Sequence, residues 1–116
     1  MLIDPTERFD MIKNTSNTYY IVVIEDVESK KLVAAGTVIL EGKFARNCGK
    51  VAHVEDIVTT TARRGQNLGR RIITQLKHVS KELGCYKVIL DCADKNVEFY
   101  GKLGFEKKEN QMALYF

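Results

Sequence analysis

A basic segment that contains two glycines follows a predicted strand and precedes a predicted helix in the middle of the chain. It runs Arg64-Gly65-Gln66-Asn67-Leu68-Gly69-Arg70. A turn of this kind directs several backbone N–H groups and the positive end of a helix toward one point, which suits a phosphate or pyrophosphate. Two carboxylates, Glu55 and Asp56, stand on the strand just before it. Together these groups indicate a nucleotide-type cofactor beside a reaction centre.

Further along the chain, Asp91 and Tyr100 could take part in proton transfer. Asp91 ends an apolar strand, where an acid usually has a partner or a role. Tyr100 could instead simply pack its ring under the sheet. Because neighbours on a strand face opposite sides, at most one of Glu55 and Asp56 is expected to point directly into a given pocket.

The composition is that of an ordinary globular protein, and we expect one domain over residues 1–116. The net charge is only +3, and the absence of a basic run with interleaved aromatics argues against nucleic-acid binding. The apolar runs are of strand length, which argues against membrane insertion or a signal peptide. Three cysteines without metal-ligand spacing predict reduced thiols in a cytoplasmic protein with no bound metal. Cys85 and Cys92 are expected to fill the core, and His53 to be a satisfied core or surface histidine.

The elements that must position these residues follow from capping signals and hydrophobic periodicity. Asp4, Pro5 and Glu7 predict the start of a first helix. Apolar residues at helical spacing from Leu68 to Leu83, followed by Gly84, predict the helix after the basic segment. The remaining predictions are strands at 19–25, 32–40, 51–60, 86–92 and 112–116, a loop at 41–50 and a short helix at 96–103. The order α-β-β-β-α-β-α-β predicts a mixed α/β sheet flanked by helices.

The basic segment resembles the cofactor loop of the GNAT N-acetyltransferases, whose pattern is Arg/Gln-x-x-Gly-x-Gly/Ala. Arg64 and Gly69 match, and Asn67 replaces the middle glycine. The runs at 53–58, 84–92 and 96–105 resemble, in order and spacing, the glucosamine 6-phosphate N-acetyltransferases within that superfamily. The resemblance extends from Tyr19 to the end of the chain. It implies the GNAT acyl-CoA N-acyltransferase fold, here without the family's usual first strand and helix.

The resemblance further implies that acetyl-CoA is the cosubstrate. The backbone of Ile57, Val58 and Thr59 would serve its acetyl end. The segment from Arg64 to Arg70 would bind its pyrophosphate, with Asn96 and Tyr100 completing the cofactor site. Asp91, and secondarily Glu55 and Asp56, would accept the proton of the attacking amine, and Tyr100 would meet the leaving thiolate.

The acceptor side of the resemblance is less complete. Substrate contacts are implied for Lys43, Phe44, Ala45, Arg46, Glu55, Asp56, Tyr86 and Lys87. Since the segment of Tyr86 and Lys87 reaches the partner subunit's site in that family, a homodimer with shared sites is implied. The family usually has histidine where Arg46 stands, and it ends with an arginine that is missing after Met112. Two alternatives therefore stay open: an N-acetyltransferase for another amine, and a catalytically weak CoA-binding paralogue or dimer partner.

Overall fold

Four strands form one mixed sheet in the computed structural model, which describes residues 4–116. The strands lie in the order of the chain, with the first three antiparallel and the fourth parallel to the third. Their bounds are β1 (Tyr19–Asp26), β2 (Lys31–Gly42), β3 (Lys50–Thr59) and β4 (Cys85–Ile89). The helices are α1 (Pro5–Asn14), α2 (Ala45–Cys48), α3 (Leu68–Glu82) and α4 (Val97–Gly101), with 3₁₀ turns at Thr61–Arg63 and Asp94–Asn96.

Helix α1 begins where the capping signals predict. The Asp4 carboxylate accepts a hydrogen bond from the Thr6 N–H at 2.7 Å, and Pro5 occupies the first helical position. The proline has no N–H to satisfy and its φ suits the first turn, so both residues favour this start. In residues 4–116, no helix is both long and apolar enough to cross a membrane.

Helix α3 packs against the sheet and contributes four of the buried residues of the core cluster. Its residues Leu68, Ile72, Ile73 and Leu76 are buried at the predicted helical spacing. They pack with sheet residues that include Val38, Ala52 and Val54. Burying each such side chain contributes about 1.5–3 kcal/mol. Gly84, at a φ of 79°, follows the helix end as predicted.

The segment predicted as a loop at 41–50 is more ordered than expected. Strand β2 continues to Gly42, which pairs with Lys50, so the hairpin is longer than its apolar pattern. The Lys43 N–H donates to the Gly49 carbonyl at 2.8 Å and closes the connection. Within it, Arg46, Asn47 and Cys48 have φ values between 54° and 57°, which makes a left-handed turn of non-glycine residues. Such turns are unfavourable for L-residues and are held only by their surroundings.

The prediction of a last strand at 112–116 is wrong for the single chain. The stretch 105–116 has no regular secondary structure. Met112, Leu114, Tyr115 and Phe116 are each at least 79% exposed. A strand needs a neighbouring strand to take its N–H and C=O groups, and this stretch pairs with none of β1 to β4.

Candidate active site

The pairing of β2 with β3 is interrupted by a β-bulge at Asp56. Thr37 pairs with Glu55 and Ala35 pairs with Val58, so two residues of β3 lie opposite the single residue between them on β2. Asp56 itself has a φ of 54°, in the left-handed region. A bulge bends its strand and redirects the side chains beside it. The alternation of β3 is therefore broken within the predicted site.

Strands β3 and β4 separate at the same place. Their pairing runs from Lys50 with Cys85 to His53 with Ile89, and the described chain has no ladder pair between them beyond that point. A cavity of about 180 Å³ lies between the diverging ends. It is lined by Val54, Glu55, Asp56, Ile57, Leu90, Asp91, Cys92, Asn96 and Tyr100. The separation leaves backbone groups on the inner edge of β3 free to bind a ligand.

The cavity is lined both by predicted catalytic residues and by residues of the predicted cofactor site. The four predicted catalytic residues, Glu55, Asp56, Asp91 and Tyr100, all line it, together with Asn96 from the predicted cofactor site. Glu55 and Asp56 both line the cavity, although the alternation of a regular strand would place their side chains on opposite sides. The bulge removes this strict alternation.

Three lining residues were not predicted: Val54, Leu90 and Cys92. The expectation that Cys92 fills the core is wrong, because β4 ends at Ile89 and Cys92 is exposed beyond it. Cys85 packs against the core as expected. The position of Cys92 carried a usable signal, since ligands in sheets with parallel strands bind beyond the carboxyl ends of those strands.

Tyr100 both packs and lines the cavity, so the two explanations left open by the sequence are compatible. Its ring makes edge-to-face contacts with Phe99 and Phe105, at centroid distances of 5.0 and 5.9 Å. Burial raises the pKa of its hydroxyl above the ordinary value of 10.0, and the nearby ionisable thiol of Cys92 raises it further. The hydroxyl is therefore neutral near pH 7 and able to donate a hydrogen bond or a proton.

The loop before α3 has the geometry expected of an anion site. Gly65 and Asn67 adopt φ values of 87° and 57°, and Asn67 caps the helix without a side-chain hydrogen bond. The first backbone bond within the helix is from the Arg71 N–H to the Asn67 carbonyl, at 3.1 Å. From Asp4 onward, no protein acceptor takes the N–H groups of Leu68, Gly69 or Arg70. These donors converge at the positive end of a 15-residue helix.

The predicted loop residues lie along this connection. Arg64 follows the 3₁₀ turn, and Gln66 lies between the two positive-φ residues. A Cβ placed on Gly69 would lie 3.8 Å from the Phe99 ring, so the first turn of α3 faces α4. Val58 and Thr59, at the end of β3, pair with β2 on one side only. They are thus placed between the cavity and the loop.

The predicted acceptor-binding segments lie at the other end of the sheet. Lys43, Phe44, Ala45 and Arg46 precede β3, and Tyr86 and Lys87 follow Cys85, the first residue of β4. Lys87 lies four positions before Asp91, which is roughly 13 Å of extended chain. The structure brings the two segments together, because the Arg46 guanidinium lies 5.3 Å and the Lys87 ammonium 5.8 Å from the centre of the Tyr86 ring. It does not bring either segment to the cavity of the same chain.

Lys43, just after β2, belongs to a separate charged cluster with Glu41 on β2 and His53 on β3. Its ammonium lies 3.0 Å from the Glu41 carboxylate, which also lies 2.8 Å from the His53 ring. The hydrogen bond from His53, and then that from Lys43, lowers the pKa of Glu41. His53 is therefore a satisfied histidine, as predicted.

The charges around the cavity limit what it can bind. Among the residues that the structure describes, its lining includes three carboxylates and no lysine or arginine. Outside the first three residues, no cluster of three or more histidine, cysteine or acidic residues could hold a metal ion. Carboxylates attract an amine and can accept its proton, but they repel a phosphate.

Residues 2–105 match the model of the acetyltransferase (GNAT) family. The chain is 52% identical over 109 residues to glucosamine 6-phosphate N-acetyltransferase 1 of Dictyostelium discoideum, covering 94% of this chain and 69% of that protein. It is 45% identical over 109 residues to the glucosamine 6-phosphate N-acetyltransferase of Arabidopsis thaliana, covering 94% of this chain and 73% of that protein.

A solved structure agrees with these matches. The crystal structure of glucosamine-6-phosphate N-acetyltransferase from Arabidopsis thaliana has a TM-score of 0.91 and 44% identity to this chain. The alignment covers 96% of this chain and 76% of that one. The GNAT fold that the resemblance implied is confirmed.

Proposed function

Because this chain belongs to the acetyltransferase (GNAT) family, we propose that it transfers the acetyl group of acetyl-CoA to the amine of glucosamine 6-phosphate. The product would enter UDP-N-acetylglucosamine synthesis. One observation carries the proposal: the acidic cavity with Asp91 and Tyr100 opens where β3 and β4 separate. Strand β3 then leads to the start of α3, where no side chain of residues 4–116 accepts from the free N–H groups. The identity to the Dictyostelium discoideum enzyme supports the choice of acceptor.

Acetyl-CoA suits the groups that this chain leaves unpaired. The free N–H groups of Leu68 to Arg70 would hold its pyrophosphate, which is anionic and favours a helix N-terminus. The inner edge of β3, from Ile57 to Thr59, would hydrogen-bond its extended amide-containing arm as a neighbouring strand would. When bound, acetyl-CoA supplies the activated acyl group as a thioester.

The amine proton passes to a carboxylate of the cavity. An ammonium cannot attack, so the acceptor nitrogen must first lose a proton to a base within reach. Asp91 is the first candidate because it lines the cavity just beyond the end of β4, and Glu55 and Asp56 line the same cavity from β3. As the C–N bond forms, negative charge develops on the carbonyl oxygen, and a backbone N–H of the freed β3 edge can donate to it.

Tyr100 assists the leaving group, and the proton that the cavity carboxylate takes from the amine restores the tyrosine hydroxyl after the thiol has formed. The C–S bond breaks as the amide forms, and the sulfur leaves with the electron pair. A thiolate in a partly enclosed cavity needs a hydrogen-bond donor or a proton. Tyr100 offers a neutral hydroxyl there, because burial raises its pKa.

We further propose that the acceptor phosphate is bound across a homodimer. Among residues 4–116, the cavity lining has three carboxylates and no lysine or arginine, whereas Arg46 and Lys87 cluster around Tyr86 at the opposite end of the sheet. A second copy that places this cluster at the cavity mouth would supply the missing positive charge. The exposed apolar side chains of 112–116 support self-association, since they need a covering surface.

The test is thiol release from acetyl-CoA by the purified chain with glucosamine 6-phosphate, glucosamine and a panel of other amines. A kcat/KM at least tenfold higher for glucosamine 6-phosphate than for glucosamine supports the proposal. Arg46→Gln should remove that preference while leaving the activity with glucosamine in place. The oligomeric state is measured by sedimentation, and a monomer that retains the preference would contradict the shared site.

Because no lysine or arginine of the described residues lines the cavity, a second candidate is an N-acetyltransferase for an unphosphorylated amine. That enzyme would give equal or higher kcat/KM with amines that carry no phosphate. Binding of CoA without turnover on any amine would instead identify a catalytically weak paralogue.

A further inference from the structure

Asp26 lies far from the cavity in sequence but is joined to the anion-binding loop through Arg63. It is the last residue of β1, and its side chain is only 15% exposed. One carboxylate oxygen, Oδ1, accepts hydrogen bonds from the N–H groups of Glu28 and Ser29, at 3.0 and 3.5 Å. The other, Oδ2, accepts from the Arg63 guanidinium. The carboxylate thus organises the β1–β2 turn with one oxygen and binds the arginine with the other.

Arg63 carries this connection onward to the loop. Its Nη2 donates to Asp26, while its Nη1 donates to the side-chain oxygen of Gln66 at 3.5 Å. The planar guanidinium can serve two acceptors at once, which a lysine ammonium on a flexible stem does with less geometric control. Arg63 therefore bridges the β1–β2 turn and the residue between the two positive-φ positions of the loop.

The loop has few other restraints. Backbone hydrogen bonds hold Arg63 to Thr60 and Arg64 to Thr61, and the next recorded one runs from Arg71 to Asn67. In the part of the chain that is described, the intervening N–H groups of 65–70 have no backbone acceptor. Side-chain links consequently determine how the loop sits relative to the sheet.

We propose that Asp26 is a positioning residue for the pyrophosphate of acetyl-CoA. Through Arg63 and Gln66 it holds the loop so that the free N–H groups at the start of α3 converge on one anion. This rests on the proposed use of acetyl-CoA but not on which amine accepts the acetyl group. If the carboxylate only stabilised the β1–β2 turn, its loss would lower the free energy of unfolding. It would not change the KM for acetyl-CoA relative to that for an acyl donor without a pyrophosphate.

The central variant is Asp26→Asn. Its amide keeps an oxygen for the Glu28 and Ser29 N–H groups but places an NH₂ group, which cannot accept, toward Arg63. We expect the KM for acetyl-CoA to rise roughly three- to tenfold, the scale of one partly exposed charged contact. The kcat at saturation should change by less than about twofold. The KM for S-acetylpantetheine, which has the thioester but no pyrophosphate, should not change.

Glu28→Gln is the matched control. It removes the same charge from the same turn, and the Glu28 carboxylate takes part in no ion pair or hydrogen bond within residues 4–116. Its donor KM values should equal those of the parent chain. An equal rise in Glu28→Gln, or an equal rise for both donors in Asp26→Asn, would overturn the proposal.

A double-mutant cycle tests the route through Arg63. If Asp26 acts through the guanidinium, Asp26→Asn should add nothing to the loss already caused by Arg63→Gln. Additive losses would overturn that route. If no amine is acetylated, the same comparisons are made by calorimetry with CoA and pantetheine. A wrong acceptor assignment is then distinguished from a wrong role for Asp26.

Discussion

Gly36 on β2 leaves the space that the side chain of Ile57 on β3 occupies. A Cβ on Gly36 would lie 2.6 Å from the Ile57 Cδ1 and 2.5 Å from the Ile72 Cγ2. Both distances are far below van der Waals contact. The bulged part of β3 and helix α3 therefore both pack against β2 at this glycine. The shape of the cavity wall thus depends on a residue that does not line the cavity.

Gly36→Ala should lower the free energy of unfolding and also distort the wall of the cavity. The added methyl group must displace Ile57, Ile72 or the strand itself, and overpacking of this kind costs about 1–3 kcal/mol. Urea denaturation followed by circular dichroism measures the free energy of unfolding. Because Ile57 lines the cavity, the kcat/KM for acetyl-CoA should also fall.

Gly42→Ala is the control, since it lies on the same strand and its Cβ would meet nothing within 4 Å in the part of the chain described. It should unfold within about 0.5 kcal/mol of the parent. If Gly36→Ala is equally benign, the close approach of Ile57 to β2 is incorrect.

The left-handed conformation of Asp56 predicts an unusual order among its variants. Asp56→Asn should retain stability, because asparagine tolerates positive φ about as well as aspartate. Asp56→Val should lose about 1–2 kcal/mol, since a β-branched side chain clashes with the backbone at a φ of 54°. Urea denaturation of both variants tests this, and Asp56→Val matching Asp56→Asn would contradict the bulge.

The bulge also marks the limit of what the sequence could predict. Helix α3 was predictable because its buried residues recur at helical spacing. The gathering of Asp91, Tyr100 and Asn96 followed from family resemblance. The sequence did not predict that Glu55 and Asp56 would both line the cavity. A bulge depends on the opposite strand, and no residue near Asp56 in the sequence indicates that position 36 on that strand is a glycine.

Two other predictions from the sequence, the strand at 112–116 and the buried position of Cys92, are wrong for the same reason: they depend on contacts with distant parts of the chain. The stretch 112–116 has strand-forming residues, but strand formation depends on a neighbour that one chain does not provide. Cys92 continues an apolar run, yet the pairing of β4 ends at Ile89 because β3 bends away. In both cases the residue types favour a strand, but whether a strand forms depends on a neighbouring strand with which to pair.

Gly69→Asp should separate helix stability from cofactor binding. A carboxylate in the first turn of α3 interacts favourably with the helix dipole, by about 0.3–1 kcal/mol, so the chain without ligand should be at least as stable. The same charge would repel the pyrophosphate and weaken CoA binding. Calorimetric titration with CoA measures the affinity, and thermal unfolding measures the stability.

Gly69→Ala is the control for size, because its Cβ would make only ordinary contact with Phe99, at 3.8 Å. Its CoA affinity should stay within about threefold of the parent, a free-energy difference near the 0.5 kcal/mol of a benign surface substitution. Unaltered affinity in Gly69→Asp would count against an anion site at this helix end.

Asp91→Asn should lower kcat by about 10²–10⁴, the usual contribution of a positioned general base. The amide cannot accept a proton from the amine. As the pH rises, more of the bound acceptor amine is already neutral, so the deficit in kcat relative to the parent enzyme should narrow. Thiol release at saturating substrates across pH measures this. A deficit that stays constant with pH would show that Asp91 does not take the proton, and Glu55→Gln would then be compared in the same way.

Tyr100→Phe should lower kcat much more than CoA affinity, since it removes one oxygen and keeps the ring contacts with Phe99 and Phe105. The loss should shrink with an acetyl thioester whose thiol is more acidic, because that leaving group needs a proton less. Tyr20→Phe is the control, as Tyr20 packs against the core on β1 and does not line the cavity. An equal loss with both thioesters would remove Tyr100 from proton transfer.

The raised pKa of Tyr100 determines how kcat and the stability of the fold should change with pH. Since burial raises this pKa above the ordinary 10.0, the hydroxyl stays protonated up to that pH, and kcat should show no decline from Tyr100 below it. Between the unfolded and folded pKa values the folded state binds more protons, so its stability falls as the pH rises through that window. Urea denaturation between pH 9 and pH 11, a range set about the ordinary tyrosine value, should show a steeper loss in the parent than in Tyr100→Phe. Parallel curves would mean that the hydroxyl is not shielded by the fold.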